Sequence, residues 1–407
     1  MKPITIKRLL FSLSLICSIA LIYFLRPDSF SNPQFWGEEG SVFFADAYHY
    51  GFKSLFNVCH GYHQLFPRFI ACFVQLIQIP YEYIPTVYVY SWLIVLIILI
   101  SYIWFRLDVD NAKKIFISLI LVIIPLQSEI IMNLTNVQWL LALFPIIIFS
   151  SPQLKNRQWF FIDLLIIIFS GLTAPNFTIL IPLFAFLLLR ERKTIYQNKR
   201  RLILHILSII FGIIELVSLM INGDITRSEG TFKLFNFGFI KYFFIEYAYL
   251  FLGKLAIGLP TILIIIGGIL FLLVIIYLLY KTYKSENIFG FISLVAGLLF
   301  WIASLVAYRQ EPESLNPYFT APRNFYIPSV TFLWAIVFIF KMNIKMRILF
   351  SSLMILLLIE TIIFVGRRTF VDYSWKTYAR KIPEQDTLKI PINPPGWYIE
   401  IDNSKIE

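Results

Sequence analysis

Long apolar runs decide what this chain can become. Near 9–25, 86–105, 115–132, 202–221, 260–280, 288–308, 325–340 and 348–366 it holds about 16–21 residues with few or no charges, against the roughly 20 that cross a bilayer as a helix. In lipid each backbone polar group has to be satisfied within its own segment or by closing a barrel, so runs of this length admit helices and little else. Shorter runs near 139–150, 159–174 and 176–189 need thinned bilayer or surrounding protein, and they bring the expectation to about eleven spans. With 58% hydrophobic residues, 14% charged residues and a mean hydropathy of +0.75, the chain carries more apolar surface than a soluble core of 407 residues buries. The expected fold is an all-α polytopic membrane protein.

Charge then orients it. Lys2, Lys7 and Arg8 precede the first run, and no small-x-small cleavage site precedes Arg26, so the sequence predicts an uncleaved first helix that starts in the cytoplasm. Pro67 and Pro80 leave the segment 67–80 too short to span, which places it along the membrane surface and makes 26–85 one long outer loop. On that reading the cytoplasmic segments hold 19 of the 35 Lys and Arg against four acids, while the outer segments are near neutral, as the positive-inside rule requires. The net charge of +11 is therefore a matter of topology and does not point to nucleic acid. No internal repeat divides the chain. It reads as one membrane domain, 1–366, with a small outer tail, 367–407.

Polar chemistry gathers in loop 26–85, which carries Glu38, Glu39, Asp46, His49, His60, Tyr62, His63 and Arg68 among Trp36, Phe43, Phe44 and other aromatics. Adjacent carboxylates at a membrane surface are costly unless something uses them, so Glu38 and Glu39 are the first candidates, with Asp46 behind them. Their side chains diverge in an extended or turn conformation, so one faces a cavity while the other caps a helix or meets a cation. The spacing His60-x-x-His63 lacks the glutamate of a zinc-protease motif, and structural zinc is not expected. No cofactor is required by the sequence, and a divalent cation between carboxylates and a substrate phosphate stays open. Cys59 and Cys72 read as free thiols, with a disulfide as the alternative.

Further polar groups point the same way. Glu129, Glu215 and Glu360 fall near the outer ends of their runs, whereas Asp163 does not share that placement. Asn136, Gln138 and Trp139 cluster in one turn, and Asn176 and Thr178 in another; both fit either a hairpin or a cavity floor. Arg309 and Arg323 bracket an outer loop, where two guanidiniums suit a phosphate or diphosphate head group.

Three motifs carry a resemblance. Phe35-Trp36-Gly37-Glu38-Glu39-Gly40, Gly61-Tyr62-His63-Gln64-Leu65-Phe66-Pro67-Arg68 and Pro391-Ile392-Asn393-Pro394-Pro395-Gly396-Trp397, set in this helical plan, resemble the GT-C superfamily of polyprenyl-phosphate-sugar-dependent membrane glycosyltransferases, including the phage-type serotype-converting O-antigen glucosyltransferases. Where many such proteins pair a Glu with an Asp, this chain has Glu-Glu. The resemblance implies a sugar donor on undecaprenyl phosphate, a glycan or lipopolysaccharide acceptor, and an active site facing the periplasm from a bacterial inner membrane. It implies Glu38 as the base, with Glu39 and Asp46 in reserve, and Trp36, His60, Tyr62, His63, Arg68, Asn136, Gln138, Arg309 and Arg323 as substrate-binding candidates. A transporter or flippase of lipid-linked saccharides, and an O-antigen polymerase or ligase, are the other readings. The first lacks matching broken helices in two halves, and the second expects its large loop late in the chain.

Overall fold

The structure is a computed structural model that describes residues 3–151, 157–195, 198–223, 244, 258–308, 314–315, 321–366 and 369–405. Among the described residues six helices are long and apolar enough to cross a bilayer, which makes this a multi-pass membrane protein. They include α1 (Pro3–Leu25), α3 (Ile84–Arg106), α8 (Lys199–Asn222), α9 (Thr261–Lys284), α10 (Ile288–Ala307) and α12 (Ile344–Phe364). Helices α2 (Leu65–Leu76), α4 (Asn111–Ile123), α5 (Phe144–Ser150), α6 (Arg157–Gly171), α7 (Asn176–Arg190) and α11 (Pro322–Ile339) are shorter. Helix α11 is buried on nearly every side and packs against α10 and α4, so it forms the axis of the bundle.

The run 115–132 is not one helix. Pro125 pushes Ile124 into an extended conformation, ψ 128°, and α4 stops at Ile123. From there to Ser150 the backbone makes short turns and helical pieces whose residues are almost all buried, including Ile130, Leu134, Val137 and Leu143. Irregular backbone survives at membrane depth only when enclosed by protein, and this segment is enclosed.

Loop 26–85 folds into short pieces, among them a π-helical turn Glu39–Phe44, a helix Ala45–Tyr50 and a hairpin of β1 (Val58–Cys59) with β2 (Tyr62–His63). The segment expected to lie on the membrane is α2. Arg68, Ala71, Cys72 and Val74 face inward while Phe69, Phe73 and Leu76 stand exposed, the two-sided pattern of an interfacial helix. Its first N–H groups donate to Leu172 O at 2.9 Å and Thr173 Oγ1 at 2.9 Å. Cys59 and Cys72 are free thiols.

The tail is far from an appendage. Helix α13 (Trp375–Lys381) and a hairpin of β3 (Thr387–Ile392) with β4 (Trp397–Asp402) carry Ile390, Ile392, Ile399 and Ile401 into the same core as Phe35, Phe44 and Tyr88. Among the described residues the strands belong to the loop and the tail, and the bundle is helical. Because tail and first loop touch, they lie on one side of the membrane, and the chain between them crosses an even number of times. Among the described residues, five of the six long helices follow that loop. The sequence expectation is eleven spans, against six long apolar helices among the described residues. The loops 222–259 and 309–324 lie largely outside the described residues.

Candidate functional site

The acidic pair is split by its backbone. Gly37 sits at φ +47°, donates to Asn393 O at 2.6 Å, and turns the chain so that Glu39 points inward and Glu38 outward. Glu39 is 1% exposed. Its carboxylate accepts the Trp36 N–H at 2.9 Å and the Leu134 N–H, which straps the first loop to the turn after α4. Burial pushes its carboxyl up to about 7, against the opposing pull of those N–H groups, of the Thr135 backbone and of the Arg26 charge.

Glu38 keeps contact with water. Its Oε1 lies 3.3 Å from His60 Nε2. Burial acts to raise its carboxyl, but the hydrogen bond and charge of His60 and the charge of Arg323 outweigh that, and it sits below the ordinary value. Two neighbouring carboxyls thus have their affinities for protons pushed apart, the usual mark of a division of labour.

His60 owes its place to the hairpin turn. His60 at φ +55° and Gly61 at φ +87° form a two-residue connection with both φ positive, the turn whose twist suits antiparallel strands. A Cβ on Gly61 would sit 2.8 Å from Gly223 Cα, so only glycine lets the turn meet the end of α8, where Ser218 Oγ donates to Gly61 O at 2.9 Å. Hydrogen bonds to the Cys59 thiol and to Glu38 raise the His60 imidazole to about 10, which makes Glu38 and His60 an ion pair at neutral pH. Tyr62 pairs with Cys59 across the hairpin, and burial raises its hydroxyl to about 12 although the Arg323 charge pulls the other way.

Arg323 enters from the first turn of α11. Its Nη1 is 3.1 Å from Glu129 Oε2, and its side chain is 42% exposed. Asn136 Nδ2 donates to Glu129 O at 2.9 Å, and Trp139 Nε1 donates to Asn136 Oδ1 at 3.3 Å. Glu38, His60, Tyr62, Glu129, Asn136 and Arg323 therefore belong to one electrostatic neighbourhood at one end of the bundle. Gln138 lies beneath it, where its backbone carbonyl takes Asn176 Nδ2 at 3.1 Å.

Other candidates serve elsewhere. Asp46 and Arg68 bind each other at 2.7 Å, and the buried Arg68 also donates to Ser54 O, so this pair fixes α2 onto the loop. His63 Nδ1 lies 3.0 Å from Glu215 Oε1, and its N–H donates to the other oxygen, so the hairpin is pinned to α8. Trp36 is stacked on Phe370, with centroids 4.7 Å apart. Arg309 lies outside the described residues. Among the described residues no group of three or more His, Cys, Asp or Glu is placed to hold a metal ion.

Sequence reasoning underrated Glu129, whose value shows only through Arg323, and missed the tail. Asn393 is 2% exposed, accepts from Gly37, donates to Phe35 O at 3.3 Å, and joins Val371 through both side-chain atoms at 2.9 Å. Arg26 completes the frame, with Asp28 at 3.3 Å, Ile131 O at 3.3 Å and the Phe370 ring at 3.8 Å. The signal was present in Pro391–Trp397, a motif whose role no spacing rule reveals. Comparison with protein-family models, curated proteins and solved structures finds no match to this chain.

Proposed function

We propose that the protein is an inverting glycosyltransferase that moves a sugar, glucose being the first candidate, from undecaprenyl phosphate to a cell-surface glycan such as O-antigen at the periplasmic face of a bacterial inner membrane. The observation that carries this reading is the partly exposed Glu38 carboxylate, hydrogen-bonded to His60, in the same neighbourhood as the partly exposed Arg323 guanidinium. A transfer of this kind needs a base on the acceptor side and a cation on the leaving-group side.

The chemistry balances as follows. Glu38 takes the proton of an acceptor hydroxyl as that oxygen forms a bond to the anomeric carbon. The bond from that carbon to the phosphate oxygen breaks, and the lipid phosphate leaves with the electron pair next to Arg323. One-step displacement inverts the anomeric centre. Glu129 holds the Arg323 fork in place until a phosphate takes over the guanidinium.

The test is transfer of label from radiolabelled polyprenyl-phosphate sugars to lipopolysaccharide by purified protein. Transfer that falls about 10²-fold or more in Glu38→Gln supports the reading. Failure of the wild type with each donor, or full turnover in Glu38→Gln, Glu39→Gln and Asp46→Asn alike, removes it.

A further inference from the structure

We infer that Trp397 is the platform on which a pyranose ring of the acceptor glycan stacks. This rests on the glycosyltransferase reading. Residues alternate along β4, and Trp397, Ile399 and Ile401 share the face turned toward the first loop. Ile399 and Ile401 are buried, and Ile399 packs so closely that a Cβ on Gly40 would come within 2.7 Å of its Cδ1. Trp397 continues that face past its covered part. Its six-membered ring lies against Gly37, where a Cβ would be 3.8 Å away, and Glu38 is the next residue. The ring nevertheless stays 39% exposed, and of the nine tryptophans in the chain it is the one that stands exposed.

An indole fixed beside the candidate base with part of its surface uncovered offers a flat apolar platform to a ligand that reaches Glu38. The candidate base names the kind. A hydroxyl that gives its proton to Glu38 lies about 3 Å from that carboxylate, so the sugar ring bearing it lies beside the wall formed by the Gly37 segment. Trp397 is part of that wall. One face of a pyranose is a patch of C–H bonds that suits the electron-rich face of an indole, and the hydroxyls around its edge stay free for polar partners. Trp36, the aromatic favoured by sequence, has a ring face covered by Phe370. The clamp of Asn393 on Phe35, Gly37 and Val371 holds the platform and the base in fixed relation.

The experiment uses full-length protein in lipid nanodiscs and, as probe, the delipidated polysaccharide released from lipopolysaccharide by mild acid. Saturation-transfer NMR reports which sugar protons touch the protein. Trp397→Ala lowers that signal about two- to tenfold, and Trp397→Phe keeps part of it. Tyr398→Ala serves as control, because Tyr398 is similarly exposed but sits on the opposite face under Lys389, and it leaves the signal in place. In turnover the acceptor KM of Trp397→Phe rises while the donor KM stays. Equal signals in wild type and both Trp397 variants, an equal loss in Tyr398→Ala, or no signal from wild type overturns the platform. A Trp397-dependent signal without transfer from each donor tested keeps the platform and sinks the glycosyltransferase.

Discussion

Two ion-pair clusters, one on helix α3 and one around the first loop, are built to opposite specifications. At the last turn of α3 Arg106 meets Asp163 at 2.5 Å, the Tyr102 hydroxyl reaches the same oxygen at 2.9 Å, and both charged side chains are less than 10% exposed. Nearby, Arg201 binds Glu191 and the carbonyls of Phe149 and Ser151, closing the end of α5. Around the first loop, Glu38 with His60 and Arg323 with Glu129 are held at 3.3 and 3.1 Å with all four side chains more than 20% exposed. Buried pairs are expensive to open and hold helices together; wet, loosely held pairs exchange partners at little cost. Both clusters are ionic, and the second is the more open to an exchange of partners.

The contrast breaks most sharply on Asp163→Ala. Leaving Arg106 buried without its carboxylate is expected to cost about 3–5 kcal/mol, read as a loss of thermal stability in detergent, with turnover per folded molecule unchanged. A rate defect without a stability defect would make that end functional. Glu38→Gln is expected to do the reverse, cutting transfer about 10²-fold or more, near 3 kcal/mol, at constant stability.

Glu39 sharpens the comparison because it is a buried carboxyl beside the more open cluster. Its folded carboxyl titrates near 7 against an ordinary 4.5, so between those values the folded protein holds a proton that the unfolded chain has lost. Stability therefore falls as pH rises through that window. Glu39→Gln is expected to flatten the decline of melting temperature between about pH 5 and 8 by a few degrees; an unchanged slope would show that Glu39 is ionised in the fold. The smallest effect is that of Arg323→Lys, which keeps a point charge but loses the fork. It should raise donor KM about tenfold with acceptor KM unmoved, whereas Arg68→Lys should act on stability because Arg68 is committed to Asp46 and Ser54.

The bundle was legible because runs such as 86–105 and 202–221 carry their length and polarity openly, and α3 and α8 follow them closely. The run 115–132 misled for a local reason: composition ignores Pro125, whose effect on Ile124 ends the helix. For the site, the sequence pointed to loop 26–85 and to an acidic pair that must diverge, and Glu39 turns inward while Glu38 meets His60. What it could not supply were partners distant along the chain. Nothing near Asp46 says that it will neutralise Arg68, and nothing near Glu215 says that it will hold His63. The tail was hardest to read, since its isoleucines alternate as in any surface hairpin and only contact shows that their inner face completes the core.

That completion sets an order in time. Tyr48 and Asn403, 355 residues apart, share a hydrogen bond of 2.6 Å, and Gly37 waits for Asn393 in the same way. A ribosome delivers the acidic pair long before its clamp. Nascent chains therefore carry an unfinished carboxylate loop while the described helices of the bundle are made, and a chain cut short before β3 lacks the Asn393 clamp on Phe35 and Gly37. The β3–β4 hairpin thus closes the first loop after the described helices between them have been made.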